Sequence, residues 1–375
     1  MIRGVAAIAA VVCLVWTAAG AYLLWPDDDR DTSSRVTTVY AGDDTTGAAD
    51  SDLPPPPDPS PPPDPAPLPE LAAPGAGEFA VEAAEAPLAV APNLKRPPRA
   101  GVLFDVDNGE VLWARRPALE LPIASLTKML TALIVAERHR PDERVRISAK
   151  APGVEGSRIG VLKPGRMVPL RGLFLGLLLA SGNDAAVALA EHDSGTVGAF
   201  VKRMNARAAE LGLACSHFAG PAGLQDTGNS SCAYDLAALA RADLANQWVA
   251  SVTGREAARV PFPTKGGTLS LTNNHYFVKH GVAGVPGARV TGVKTGLTNG
   301  AGRCYVTTAR LGDTHLGVVV LDSPDPVRQV PRLLRAGFAA EGALPPAPAG
   351  PTGVDAAKGT GAPPRRGRVG SAALG

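Results

Sequence analysis

Three short motifs in a fixed order carry the residue types needed for acyl transfer through a serine ester. They are Ser125-Leu126-Thr127-Lys128, Ser181-Gly182-Asn183 and Lys294-Thr295-Gly296. Together they offer a nucleophile, a base, a second hydroxyl with an amide, and a cationic anchor. Each motif alone has an ordinary structural explanation, such as helix capping or a solvated lysine. Their occurrence together and in this order indicates an active site.

The first motif pairs a hydroxyl with an amine at the start of a predicted helix, Ser125–Arg138. Side chains three residues apart on a helix are neighbours. A lysine kept partly neutral by burial and nearby cations can accept a hydroxyl proton. We therefore predict Ser125 as the nucleophile and Lys128 as the general base.

The second motif lies where one predicted helix, Leu170–Leu179, stops and another, Ala185–Glu191, begins. We expect Gly182 to permit a turn that directs the flanking side chains the same way. Ser181 can then relay a proton, and Asn183 can hold a substrate carbonyl.

The third motif is predicted to end a strand and precede a loop. Lys294 and Thr295 can bind a carboxylate there, and Gly296 allows substrate backbone to approach closely.

The elements around these motifs indicate an α+β (α/β) domain. Two strand-like runs flank the turn signal Asp107-Asn108-Gly109, and amphipathic helices fit Thr196–Leu211 and Tyr234–Gln247. Further strands and a closing helix are predicted over Val290–Val293, Arg303–Leu311, Thr314–Leu321 and Pro326–Ala340. Strands at both ends with helices between them predict an antiparallel sheet of N- and C-terminal strands, packed with helices, plus a helical subdomain.

The ends of the 375-residue chain differ in composition from this central part. Residues Gly4–Trp25 are apolar and uncharged after Arg3, which predicts a membrane anchor over residues 1–25 or a cleaved signal peptide. Residues 26–94 are Pro-rich and predict a disordered linker; residues 341–375 predict a disordered tail. The catalytic domain is expected at 95–340, on the extracytoplasmic face of a bacterial membrane or secreted.

Net charge and cysteine content narrow the range of functions and binding sites further. A net charge of +2 implies no general nucleic-acid affinity. Cys13 lies in the apolar run, and Cys215, Cys232 and Cys304 are an odd set that allows at most one intramolecular bridge. A Cys215–Cys232 bridge and buried free thiols are both open. No cysteine spacing suggests a metal site.

The residues around the motifs, Ile123–Lys128, Leu178–Ala186 and Gly292–Gly302, resemble one family. It is the D-alanyl-D-alanine carboxypeptidase family of low-molecular-weight penicillin-binding proteins, peptidase family S11, with a β-lactamase/transpeptidase-like fold. The resemblance covers roughly Arg99 to Leu321. The segment Ser216–Leu224 is similar to a family signature but carries Gly220 for Asn and Ala222 for His, in a stretch expected to be structural.

The resemblance implies a mechanism without metal or organic cofactor. Ser125 would attack the penultimate D-Ala carbonyl of a peptidoglycan stem peptide, with Lys128 as base and Ser181 as proton relay. The substrate would be held by Asn183, Lys294, Thr295 and Gly296, and the oxyanion by the backbone N–H groups of Ser125 and Leu297. β-Lactam antibiotics would acylate Ser125, and the protein is expected to be a monomer.

Three alternatives remain open. A class A β-lactamase shares the outer motifs but usually has Ser-Asp-Asn in the middle and a Glu-x-x-Leu-Asn loop, whereas this chain has Gly182 and no such loop. A DD-transpeptidase would pass the acyl group to an amine instead of water. An inactive wall-binding protein would not need the catalytic residue types, which are all present.

Overall fold

The computed structural model describes residues 78–81, 88–224 and 228–345. Its strands are β1 (Ala100–Asp105), β2 (Val111–Arg115), β3 (Leu121–Pro122), β4 (Arg144–Arg146), β5 (Met167–Pro169), β6 (Ser230–Ser231), β7 (Ala257–Pro261), β8 (Thr268–Thr272), β9 (Arg289–Thr298), β10 (Gly302–Leu311) and β11 (Thr314–Leu321). Five of them form an antiparallel sheet in the order β2-β1-β11-β10-β9. The N-terminal strands therefore pair with the C-terminal ones, which confirms the predicted sheet.

Helices cover both faces of this sheet and build the rest of the domain. They are α1 (Lys128–Arg138), α2 (Leu170–Leu178), α3 (Asn183–Ser194), α4 (Val197–Glu210), α5 (Ala233–Ala245), α6 (Gln247–Thr253), α7 (Tyr276–His280) and α8 (Pro326–Ala340). The predicted closing helix, Pro326–Ala340, is confirmed with its bounds. It begins there because the Asp325 side chain caps it by accepting from the Arg328 N–H.

Burial on both faces explains why the central strands are almost continuously apolar. In β11, Leu316, Val318 and Val320 pack in the core beneath α8. Val319 and Leu321 point to the opposite core, which contains α1 and α5. Successive side chains of a strand alternate between faces, so both sets must be apolar when both faces are covered.

A third core holds the predicted helical subdomain. It contains α2 and α3 with residues of β4, β5, β7 and β8. The hairpin of β7 and β8 was not among the predicted elements, although Thr268–Thr272 alternates buried and exposed residues as a one-sided strand does.

Several predicted boundaries are wrong, two of them at the motifs. Ser125 belongs to a 3₁₀ turn, Ala124–Thr127, and the α-helix begins only at Lys128. The third motif lies inside β9 instead of at its end, since that strand continues to Thr298. The helix predicted over Tyr234–Gln247 ends at Ala245, and Asn246 caps a separate helix by accepting from two backbone N–H groups.

Residues before Lys95, where the linker was expected, also contact the domain. Phe79, Val81 and Leu88 pack against the core beneath the sheet, and the Val90 N–H donates to the Leu112 carbonyl at 3.1 Å. The packed chain therefore extends further toward the N-terminus than composition indicates. Residues 26–77 and 82–87 of the predicted linker and the tail beyond residue 345 lie outside the described residues.

A disulfide joins Cys215 to Cys232, and Cys304 is buried as a thiol. This resolves the alternatives left by the cysteine count in favour of one bridge. Within the described residues, no helix is both long and apolar enough to cross a bilayer. The predicted anchor, Gly4–Trp25, lies outside them.

Candidate active site

The first motif places an amine directly beside a hydroxyl. Lys128 Nζ lies 2.9 Å from Ser125 Oγ, and Ser125 is half-buried at the surface of the domain. The 3₁₀ turn keeps the two side chains together, although the predicted α-helix does not begin until Lys128. Ala124 has a φ of 48°, so the chain bends sharply just before the hydroxyl. The predicted proximity of Ser125 and Lys128 is therefore found, but in a 3₁₀ turn instead of an α-helix.

Burial and a second cation tune the amine of this pair. Lys128 is fully buried, and this burial lowers its pKa well below the ordinary value for lysine. Repulsion from Lys294 lowers the pKa further, while attraction to Asp184 partly opposes both effects. A larger fraction of Lys128 is therefore neutral at physiological pH than of a solvated lysine.

The segment Ser216–Leu224, expected to be structural, lies beneath this pair, a position that the motifs alone did not indicate. Lys128 Nζ donates to the Ala222 carbonyl at 2.6 Å, and Thr131 Oγ1 donates to the Pro221 carbonyl at 2.8 Å. Both contacts use backbone oxygens. Ala222 can therefore replace the family's histidine without losing the contact to the amine.

The second motif contributes a buried hydroxyl at a strained turn. Ser181 has a φ of 58° and its Oγ is buried without a hydrogen bond to any described residue. Gly182 has a φ of −62°, so the predicted role of this glycine in turning the chain is wrong. A Cβ at Gly182 would instead lie 2.9 Å from Asp184 Oδ1, which makes lack of space the reason for glycine.

Asn183 begins α3 and holds the loop that precedes it in space. Its Nδ2 donates to the Glu155 carbonyl at 2.7 Å, and its backbone N–H donates to the Ser157 carbonyl at 2.7 Å. A side chain at Gly156 would lie 2.7 Å from Asn183 Nδ2, so glycine permits this close approach.

Asp184 is a further site residue that the motifs alone did not identify. Its carboxylate accepts from the backbone N–H groups of Ile159 at 2.9 Å and Gly160 at 3.0 Å. Burial raises its pKa, and these N–H groups oppose the rise. Asp184 thereby fixes the 155–160 loop to α3 and supplies the negative charge that acts on Lys128.

The third motif runs along the edge strand β9, next to the turn that carries Ser125. A Cβ at Gly296 would lie 3.0 Å from the Ser125 backbone nitrogen and 2.9 Å from the Ile123 carbonyl oxygen. Glycine is therefore required for the strand to approach the nucleophile. Leu297 follows with 69% of its surface exposed, at the open side of the strand.

Lys294 is the second buried amine of the site. It is 1% exposed, and its Nζ donates to the Thr295 carbonyl at 3.0 Å. Burial lowers its pKa to about 7. His275 lies in the same buried surroundings; burial and Lys294 lower its pKa to about 4, so this imidazole is neutral.

The structure thus places the Lys128 amine beside the Ser125 hydroxyl and Gly296 against the Ser125 backbone. The charges of Lys294 and Asp184 both act on this amine. A hydroxyl beside an amine of lowered pKa suits proton transfer and nucleophilic attack. A buried cation on an edge strand suits binding of a carboxylate, whose charge it would neutralise.

Solved structures with the same fold include a D-alanyl-D-alanine carboxypeptidase and a DD-transpeptidase. A D-alanyl-D-alanine carboxypeptidase from Mycobacterium tuberculosis H37Rv is 30% identical, with a TM-score of 0.61, covering 71% of this chain and 97% of that one. An S216A mutant of the Streptomyces K15 DD-transpeptidase is 27% identical, with a TM-score of 0.59, covering 66% of this chain and 100% of that one. These likenesses confirm the predicted fold.

The family follows from sequence comparison. Residues 89–325, more than half of the chain, match the family described as D-alanyl-D-alanine carboxypeptidase, peptidase S11. The chain belongs to this family, as the motifs predicted. Among curated relatives, the D-alanyl-D-alanine carboxypeptidase DacF of Bacillus subtilis (strain 168) is 34% identical over 248 residues, which span 64% of this chain and 62% of the relative.

Proposed function

We propose that the protein is a serine-type D-alanyl-D-alanine carboxypeptidase that removes the terminal D-Ala from peptidoglycan stem peptides through an acyl-enzyme. The observation that carries the proposal is the 2.9 Å contact between Ser125 Oγ and the buried Lys128 amine. Membership of the S11 family and the neighbouring buried cation, Lys294, support it.

In the acylation step, neutral Lys128 takes the Ser125 hydroxyl proton as Oγ attacks the carbonyl carbon of the penultimate D-Ala. The backbone N–H groups of Ser125 and Leu297 receive the negative charge that develops on the carbonyl oxygen. The peptide C–N bond then breaks, and Ser181 relays the proton from Lys128 to the departing D-Ala amine, which returns both Lys128 and Ser181 to their starting states. The buried, unpartnered Ser181 hydroxyl suits this relay.

Substrate binding uses the remaining motif residues. Lys294 and Thr295 hold the terminal carboxylate, and Gly296 lets the peptide lie against β9. Asn183 orients the substrate amide, since its Nδ2 is fixed by the Glu155 carbonyl. Water, activated by Lys128, hydrolyses the ester and regenerates Ser125. A β-lactam presents the same carboxylate and a strained amide, so it acylates Ser125. Its ester with Ser125 is hydrolysed more slowly than the ester formed from the peptide.

D-Ala release from a synthetic peptide ending in D-Ala-D-Ala tests this proposal. The wild-type chain should release D-Ala, and Ser125→Ala should reduce the rate to background because no nucleophile remains. Ser251→Ala, which changes an exposed serine of α6, is the matched control and should retain the wild-type rate. Equal release by wild type and Ser125→Ala would contradict the assignment.

Transpeptidation is a second candidate, favoured by the likeness to the Streptomyces K15 DD-transpeptidase. The same acyl-enzyme would be attacked by an amine in place of water. Adding glycine as acceptor to the release assay separates the two, since a transpeptidase forms a new peptide ending in D-Ala-Gly and a carboxypeptidase forms the shortened one.

The pH dependence should report the two buried amines. Lys128 must be neutral, so the rate falls as pH drops below its lowered pKa. Lys294 must be charged, so kcat/KM, which reports the free enzyme, should fall as pH rises through about 7. A bound carboxylate stabilises the Lys294 ammonium and so raises its pKa in the substrate complex. The alkaline fall in the pH profile of kcat should therefore lie at higher pH than the fall in kcat/KM. A kcat/KM that keeps rising toward the ordinary lysine pKa of about 10.4 would contradict this pairing.

We also propose that the domain acts outside the cytoplasm, tethered by the apolar run Gly4–Trp25 or released after its cleavage. Arg3 before this run and Asp27–Asp29 after it favour this orientation. The Cys215–Cys232 bridge supports it, since disulfides persist in oxidising compartments. Protease treatment of intact spheroplasts should degrade the domain; full protection would contradict the proposal.

A further inference from the structure

A cluster of imidazoles and carboxylates lies at the ends of α1 and α3 that are remote from the three motifs. His139 follows the last residue of α1, His192 lies in the last turn of α3, and Glu143 precedes β4. Both imidazoles contact one carboxylate oxygen: Glu143 Oε2 is 2.9 Å from His139 Nδ1 and 3.1 Å from His192 Nε2. These three atoms all lie within 4.8 Å of one another.

A second carboxylate orients one of the imidazoles. His139 Nε2 lies 3.0 Å from Asp193 Oδ2, and the Asp193 side chain has no exposed surface. Without a metal, a protonated imidazole donates to Glu143 and Asp193 together, whereas a neutral one donates to only one of them. With a metal ion at Nδ1, the Nε2–H donates to Asp193 while the Nδ1 lone pair binds the metal. Metal-binding histidines ordinarily have such a carboxylate partner.

Glu143 is held in an orientation that leaves one oxygen for a ligand bond. Its Oε1 accepts from the Arg140 backbone N–H at 2.7 Å, which directs Oε2 toward the two imidazoles. The three side chains are 14%, 28% and 23% exposed for His139, Glu143 and His192, so an ion and a water ligand can reach them.

We propose that His139 Nδ1, Glu143 Oε2 and His192 Nε2 bind one Zn²⁺ ion, with water as the fourth ligand. Two imidazole nitrogens and a carboxylate oxygen are a ligand set that zinc takes in tetrahedral geometry. Bond lengths of about 2.0–2.2 Å place tetrahedral ligand atoms roughly 3.3 Å apart. The carboxylate–imidazole contacts of 2.9 and 3.1 Å are close to this spacing. The two imidazole nitrogens lie within 4.8 Å of each other, so side-chain rotation brings them to it.

The backbone around the cluster also favours a cation. The C-terminal ends of two helices, α1 and α3, converge there, and each carries partial negative charge. The positive charges of two arginines oppose cation binding: Arg138 Nε lies 2.6 Å from Asp193 Oδ2, and Arg203 Nε lies 2.9 Å from Asp193 Oδ1. They pair with Asp193 instead of the proposed ligands, so we expect weaker affinity than in a closed four-residue site.

The position of the site suggests what the ion does. Helix α1 begins at Lys128 and α3 begins at Asn183, so both helices carry active-site residues at one end and zinc ligands at the other. With 1.5 Å per residue, the 11 residues of α1 separate Lys128 from the cluster by about 16 Å. Zinc would therefore tie the remote ends of these helices together and stabilise the domain without touching the reacting atoms.

Equilibrium dialysis of the chelator-treated full chain against ZnCl₂, with metal content measured afterwards, tests the proposal. Wild type should bind one Zn²⁺ per chain, and its Tm should rise with ZnCl₂. His192→Asn and Glu143→Gln should each bind at least about tenfold more weakly and lose the Tm shift. His280→Asn, which changes an exposed histidine of α7, is the matched control and should bind as wild type does.

Co²⁺ gives a second readout that does not depend on stability. The wild-type chain should show the visible absorption of four-coordinate Co²⁺, and both ligand variants should lack it. Acylation by a fluorescent penicillin reports whether each variant is folded and is independent of metal content. Wild type that binds no Zn²⁺, or folded His192→Asn and Glu143→Gln that bind it as tightly as wild type, would overturn the proposal.

Discussion

Replacing Lys128 with methionine is expected to slow acylation of Ser125 by a β-lactam about 10²–10⁴-fold, the range typical of losing a general base. Methionine is apolar and of similar length, so it fills the fully buried site of the lysine. It cannot accept the Ser125 proton. It also leaves the Ala222 carbonyl without its donor, which we expect to cost about 1–3 kcal/mol of stability.

Stopped-flow acylation with a chromogenic cephalosporin measures this effect. Lys202→Met, which replaces an exposed lysine on α4, is the matched control and should acylate at the wild-type rate. The Tm of both variants separates slow chemistry from loss of folding. A folded Lys128→Met that acylates as fast as wild type would show that another group removes the proton.

Replacing Gly223 with alanine should damage both the stability and the reactivity of the domain. Gly223 has a φ of +70°, and a Cβ there would lie 1.9 Å from the Ala124 carbonyl oxygen. The Cβ position is fixed by the backbone of residue 223 and the oxygen belongs to the backbone of Ala124, so no side-chain rotation can relieve the clash. Left-handed strain and overpacking together should cost about 2–5 kcal/mol in the free energy of unfolding. Because Ala222 contacts Lys128, the shift should also slow acylation.

Gly165→Ala is the matched control for this prediction. Gly165 has a similar φ of +77°, but no atom lies within 4 Å of the position of an added Cβ. It should therefore cost only the left-handed strain, about 1–2 kcal/mol, and leave acylation unchanged. Urea unfolding of both variants gives the difference. Equal losses at the two positions would mean that the contact beneath Ser125 does not constrain the site.

The motifs were predictable because local spacing determines their geometry. Ser125 and Lys128 are three residues apart, and both a 3₁₀ turn and an α-helix bring such side chains together. The sheet was predictable because β10 and β11 are joined by a short turn, and strands buried on both faces have distinctive sequences.

The rest of the site depends on contacts between distant parts of the chain. The Ala222 carbonyl reaches Lys128 across 94 positions, and it is a backbone atom that no residue type reveals. Ser181 adopts a positive φ that sequence reasoning would assign to Gly182, because glycine is the usual residue for that conformation. His139 and His192 are separated by more than fifty residues, so no local spacing indicates their shared contact with Glu143.

The central claim is that Ser125 forms a covalent ester, and mass spectrometry of the penicillin-treated protein tests it most directly. The account predicts a mass increase of one penicillin per chain, located by peptide mapping on the peptide that contains Ser125 and missing from Ser125→Ala. An adduct on a peptide without Ser125, or a folded wild-type chain with no adduct at all, would contradict it.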